Sequence, residues 1–227
     1  MKKILVGFML LISIVLFSMS SSGLTYHFTD NNSLKTMGTF SPRLSGGIST
    51  VYYYINNYST MSQYASDLIS GIESWNSNSA INFTQTTVYW NSVCDVKVYD
   101  CDLLPAQIYN PDVNKIVNNP FKTCYAYAKL WYGGGPGASN NKGYEFVSEL
   151  PATGDYWLGE IFINYKVLPS SNSSMKKQVA AHEAGHVLGL NHINLLSIMN
   201  DPLTTSSPAT PTNTDKNNVY DLYYARW

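Results

Sequence analysis

The chain has 227 residues, a hydrophobic share of 44% and a formal charge of −1 at pH 7, enough for one ordinary domain or two small ones with a real core. Charged residues are only 13%, about half the usual share, and a charge so near zero gives no electrostatic footprint for a nucleic-acid partner. The surface must instead be covered by Asn, Ser, Thr and the 18 Tyr, a composition compatible with life outside the cell.

Lys2 and Lys3 make a basic start, residues 4–17 form an almost unbroken apolar run, and small residues follow at Ser18, Ser20, Ser21, Ser22 and Gly23. That is the layout of a secretory signal peptide. The run is short for a bilayer span, which needs about 20 apolar residues. The reading is a leader over residues 1–22, cut between about Ser20 and Leu24, and an exported domain over 23–227 with no membrane attachment after cleavage.

Residues 48–55, rich in β-branched and aromatic side chains, read as a strand. Thr60 and Gln63 suggest a capping box. Beyond them Met61, Tyr64, Ala65, Leu68, Ile69, Ile72 and Trp75 recur at helical spacing and predict an amphipathic helix packed on the sheet. Short strands are expected at 82–85 and 95–99, and an irregular excursion at 102–123. A strand at 124–132 is broken by Gly133 to Gly137, and a polar loop runs on to about Trp157. Residues 159–167 predict another strand and 175–188 a helix. After a Pro- and Thr-rich stretch over 202–213, residues 214–224 read as a last helix.

Three of the four histidines lie within eleven residues, in the run His182-Glu183-Ala184-Gly185-His186-Val187-Leu188-Gly189-Leu190-Asn191-His192. Residues four apart lie on one helix face, about 6 Å apart along the axis, so His182 and His186 can offer two imidazoles to one metal ion. Glu183 projects beside them. Position 192 would sit too far up a continued helix, but Gly189 can adopt the left-handed conformation that ends a helix and turns the chain. His192 can thereby return to the same ion. Three imidazoles leave one tetrahedral position open, as catalytic zinc sites require. Zinc lowers the pKa of a bound water to about 7, and Glu183 beside it can act as general base and then pass the proton to the leaving amine.

These residues fit the metzincin pattern of two helical His, a general-base Glu, a turn Gly and a third His. Ser197-Ile198-Met199-Asn200 falls where metzincins carry a methionine turn, and the resemblance implies that Met199 forms an apolar floor beneath the ligands. Within that group the chain most resembles the matrixins, over about residues 46–226. Astacin- and serralysin-like members place a Tyr just after the methionine turn, where this chain has Asn200 and Asp201. Vertebrate matrixins usually have Ser after the third His, where this chain has Ile193. Pro42-Arg43 is followed by Leu44, so a propeptide thiol directed at the metal is not supported.

The resemblance implies an α+β fold: a twisted, mostly parallel five-stranded sheet with two long helices up to about residue 189, then a small C-terminal part over 190–227 ending in a helix. It implies a secreted, monomeric zinc metalloendopeptidase acting on protein or peptide substrates. One zinc is expected. The acidic and Asn residues of the 133–158 loop, Glu145, Glu149 and Asp155 among them, could hold calcium as the corresponding matrixin loop does; a solvated loop is the equal alternative, and no calcium ligands are assigned. Residues 124–132 are the strand chosen to pair with an extended substrate, and Leu203, Thr204 and Thr205 are candidates to wall the pocket beyond the scissile bond. The rival reading is a secreted binding protein that keeps the fold without cleaving; a general base beside the metal speaks against it. An enzyme restricted to one partner is a third reading. His27 reads as solvated and Glu160 as structural. Among Cys94, Cys101 and Cys124, an extended strand between the first two keeps them too far apart for a disulfide; Cys101 with Cys124 would close the irregular excursion and is the favoured pair.

Overall fold

The computed structural model describes residues 49–56, 61–77, 81–90, 94–101, 107–110, 115–118, 125–132, 137–139, 142–145, 156–168, 172–190, 192, 196–200, 203 and 206–224. The strands are β1 (Ser49–Ile55), β2 (Ile81–Gln85), β3 (Val96–Cys101), β4 (Gln107–Asn110), β5 (Lys115–Asn118), β6 (Ala126–Tyr132), β7 (Lys142–Glu145) and β8 (Tyr156–Asn164). The helices are α1 (Ala65–Glu73), continued by a 3-10 turn over Ser74–Asn76, α2 (Ser173–Val187) and α3 (Asn213–Tyr224). The architecture is α+β, as expected.

The main sheet has the order β2–β1–β3–β8–β6–β7. β2, β1, β3 and β8 run parallel, while β6 is antiparallel to β8 and β7 to β6. Five of these strands are the expected ones. The sixth, four-residue β7 lies in what reads from sequence as a polar loop. It pairs with Lys129 to Tyr132, on the outer side of the strand chosen for substrate pairing. A second correction falls in the excursion at 102–123, where β4 and β5 form a separate antiparallel hairpin.

Alternation builds the core. Val51, Tyr53 and Ile55 of β1, Val96 and Val98 of β3, Ile161 and Ile163 of β8, and Ala128 and Leu130 of β6 all point to one buried face. The opposite face carries Tyr54, Lys97, Glu160 and Lys129 in register across four strands, so opposite charges alternate along the row. The next row holds Tyr99, Phe162 and Tyr127, whose rings stack with centroids 5.4 and 4.8 Å apart. Glu160 accepts a hydrogen bond from Trp131 Nε1 at 2.7 Å.

Met61, Tyr64, Leu68, Ile72 and Trp75 are buried, so the helical periodicity marks the right face. The regular helix nevertheless begins only at Ala65, and its cap residue Tyr64 makes no side-chain capping bond; Thr60 lies outside the described residues. α1 crosses α2 closely at Gly71, where an added Cβ would fall on the Lys177 carbonyl oxygen and 2.8 Å from Ala180 Cβ. The crossing is pinned at Asp67, which accepts from Ser173 Oγ at 2.5 Å and pairs with buried Lys176 at 2.7 Å. Burial alone would raise the Asp67 pKa, but the Lys176 and Ser173 hydrogen bonds and the two lysine charges outweigh it and hold it below its ordinary value.

Cys94 is a buried thiol that donates to the Val96 carbonyl, and burial pushes its pKa up to about 11. It forms no bond with Cys101, which ends strand β3. Cys124, His27, Glu149 and Asp155 lie outside the described residues, as do Thr204 and Thr205. No helix among the described residues is long and apolar enough to cross a membrane.

Candidate active site

α2 starts at Asn172, whose side chain accepts from Met175 N at 2.9 Å, a cap that satisfies one of the helix's orphan donors. Its second half runs through the centre of the molecule, and every residue from Gln178 to Val187 is buried. His182, Glu183 and His186 are 5%, 6% and 3% exposed, while His192 is exposed. The group is thus sunk in protein on the helix side and reached by solvent on the His192 side.

The way the helix ends accounts for the site. Gly189 has φ +95°, a left-handed conformation that is costly for side chains other than Gly. Gly189 N–H donates to His186 O and Leu190 N–H to Gly185 O, both at 2.9 Å, the pair of bonds that defines a Schellman turn. Leu188 N–H donates to Ala184 O. The Val187 and Leu188 carbonyls remain, and two buried tyrosines take them: Tyr156 Oη donates to Val187 O, and Tyr223 Oη to Leu188 O at 3.0 Å. All five last carbonyls are therefore satisfied.

The turn also orients the rings. His186 Nδ1 lies 2.8 Å from Leu190 O, and His182 Nδ1 lies 2.7 Å from Ile198 O. A carbonyl only accepts, so both Nδ1 atoms carry the proton, and both Nε2 atoms present a lone pair. The Nε2 atoms of His182 and His186 each lie 3.1 Å from Nε2 of His192. Three nitrogens at about 2.0–2.1 Å from a tetrahedral zinc stand about 3.3 Å from one another, so the donor set fits that ion. Burial, and then the neighbouring His182 and His192 rings, hold the His186 pKa well below its ordinary value. The ring is neutral at neutral pH, the form that ligates a metal. Among the described residues this is the one cluster of His, Cys, Asp or Glu side chains that could hold an ion.

Met199 is buried. An added Cβ on Gly185 would fall on its sulfur and 2.9 Å from Trp75 Cζ2, so the absence of a side chain there lets the methionine seat directly on α2. Trp75 is fixed in turn by its Nε1 donating to Ala181 O at 2.9 Å. Gln178 Nε2 donates to Ser207 O at 2.9 Å and ties the Pro- and Thr-rich segment to α2. Leu203, in that region, is partly buried against the core.

Asp215, fully buried in the first turn of α3, holds the methionine turn. It accepts from Ser197 Oγ, from Ile198 N at 3.1 Å, and from Thr212 N and Oγ1 at 2.7 Å each. Ser197 Oγ in turn accepts from Met199 N. Because the Ile198 carbonyl orients His182, Asp215 acts on the histidine cluster through one intervening residue. Sequence reading did not single out Asp215, Tyr156 or Tyr223. For Asp215 a signal exists: Thr212 and Asp215 form a reciprocal capping box at the start of α3. The tyrosine hydroxyls carry no comparable signal.

Residues 138–224 match the matrixin family model. That stretch carries β8, α2, the three histidines, the methionine turn and α3, and over it the chain is matrixin-like. No curated protein matches the sequence.

Proposed function

We propose that this matrixin-like chain is an exported zinc-dependent endopeptidase, with His182, His186 and His192 as metal ligands and Glu183 as general base. The observation that carries the reading is the convergence of three Nε2 atoms, two of them on rings whose Nδ1 protons are held by backbone carbonyls. A zinc ion held there supplies a Lewis acid that acidifies water and polarises a peptide carbonyl. Glu183, one residue from His182 on the same helix, takes a proton from the attacking water and returns it to the departing nitrogen. Met199 closes the site from below as apolar packing, without a ligand role.

Substrate enters as an extended peptide along the β6–β7 edge, where main-chain pairing supplies affinity and pockets supply selectivity. Export rests on the basic start, the apolar run and the small residues that follow it, whose removal leaves a domain over 23–227. In that domain the part after about residue 189 forms the lower side of the cleft. The test is a cleavage profile of the purified mature protein on a mixed peptide library, with and without a chelator. Cleavage abolished by the chelator and restored by zinc is the expected result. A protein that holds zinc and cleaves nothing would instead favour the non-catalytic binding protein. N-terminal sequencing of exported material checks the leader; retention of Lys2 would rule out its removal.

A further inference from the structure

We propose that Tyr156 and Tyr223 are positioning residues for the metal centre: together they clamp the end of α2 and so fix where His186 and the chain leading to His192 stand. The proposal rests on the zinc reading above.

The two hydroxyls come from opposite sides. Tyr156 belongs to β8, in the sheet, and Tyr223 to α3, which follows the methionine turn. They meet at the helix end, where their oxygens lie 3.4 Å apart and donate to the adjacent carbonyls of Val187 and Leu188. Tyr156 is fully buried and Tyr223 nearly so. Val187 adjoins His186 in the chain, and Leu188 adjoins Gly189. A helix that continued would bond these carbonyls to later N–H groups, but the left-handed turn removes those donors. Water cannot replace them at a buried position without a cavity to hold it. The hydroxyls therefore decide the orientation of the last two peptide planes before the turn. Leu190 O, which fixes the His186 ring, is the first carbonyl past that turn.

The placement in the fold gives the clamp its reach. Through Asp215, near its start, α3 holds the methionine turn whose Ile198 carbonyl orients His182. Eight positions on, through Tyr223, the same helix holds the end of α2. One rigid helix thus sets both supports of the cluster, and Tyr156 ties that arrangement to the sheet. Gly159, three residues after Tyr156, packs so closely under Val187 that an added Cβ would lie 2.7 Å from its Cγ1. The sheet therefore approaches the helix end at contact distance.

A purely structural role predicts lost stability and an unchanged metal centre, and the test separates the two. Tyr156→Phe, Tyr223→Phe and the double variant are compared with Tyr53→Phe, which removes an equally buried hydroxyl bonded 2.8 Å from Glu73, away from the site. Zinc affinity is measured by competition with a chromophoric chelator, thermal unfolding on the metal-free proteins, and ligand geometry from the visible spectrum of the cobalt-loaded forms. Groups that orient ligands directly are worth about 10–100-fold in metal affinity. One bond further out, each clamp variant should bind zinc roughly three- to tenfold more weakly and shift the cobalt bands. Tyr53→Phe should lower the unfolding temperature and leave both unchanged. Wild-type affinity and spectrum in Tyr156→Phe and Tyr223→Phe would overturn the clamp alone. A wild-type chain that takes up no zinc would overturn the metallopeptidase reading, and the clamp with it.

Discussion

Leu190, the residue after the glycine that ends α2, returns its carbonyl oxygen to within 2.8 Å of Nδ1 of His186, four residues before it. Turn and ligand are thus one structure: the bond that fixes the ring exists only if the chain reverses at Gly189. Gly189→Ala should cost roughly 1–2 kcal/mol for the left-handed backbone and weaken zinc binding as well. Gly189→Asn, which tolerates that conformation better, should fall between. Thermal unfolding with and without zinc checks both, and a zinc-induced gain in stability as large in the Ala variant as in the wild type would break the link.

Glu183→Gln keeps size and hydrogen bonding but removes the basic oxygen. Loss of general acid–base catalysis should slow peptide hydrolysis about 100- to 10,000-fold, with zinc content and unfolding temperature close to wild type. His186→Ala should lose metal and activity together. Peptide hydrolysis and zinc stoichiometry on both variants decide the assignment; near wild-type turnover in Glu183→Gln would place the base elsewhere.

Asp215→Ala would leave the Ile198 N–H and the Ser197 and Thr212 hydroxyls without their shared acceptor in a fully buried place. The expected cost is about 3 kcal/mol or more. Zinc affinity should drop too, since Ile198 O supports His182. Denaturant titration and chelator competition measure the two effects, and a stable variant with normal zinc affinity would contradict the anchoring role.

Asp67 gives a pH signature at the other end of α2. Its folded pKa lies below the unfolded value, so its stabilising contribution is fully present above the ordinary aspartate range and is lost as pH falls through the folded pKa. The contribution should be about 1 kcal/mol. Asp67→Asn should lower stability near neutrality by that amount and converge on the wild type in acid. Denaturant unfolding of the metal-free protein across the acid range tests this; parallel curves would show that the Lys176 pair carries no linkage.

The site was largely legible because its chemistry is local. Two histidines four apart on a helix, followed by a turn Gly and a third His, leave few ways to fold, and the structure brings the imidazoles of His182, His186 and His192 together. The buried face of α1 was legible from periodicity. The start of β8 was not, because Tyr156 and Leu158 are buried, then Gly159, Ile161 and Ile163. This change of parity falls at a register shift, where Trp131 pairs with Leu158 but Tyr132 pairs with Tyr156. The extra residue is Trp157, and a period of two read backward from Gly159 stops there. β4, β5 and β7 were missed because each is only four residues long and set among Asn, Gly and Pro. Tyr156 and Tyr223 act on partners 31 and 35 residues away, which no local pattern records, and the local capping box of Asp215 says nothing of its bonds to Ser197 and Ile198.

The longest strand of the sheet lies inside it and the two shortest form its margins. β8, at nine residues, has neighbours on both sides, while the margins are β2 with five residues and β7 with four. An unpaired strand margin is a template on which a second chain can add, and short margins are a common defence against it. The β6–β7 hairpin replaces part of a seven-residue margin with a four-residue one. A protein so poor in charge has little electrostatic repulsion to keep its copies apart in concentrated solution, and the brevity of its outermost strands works against polymerisation where charge does not.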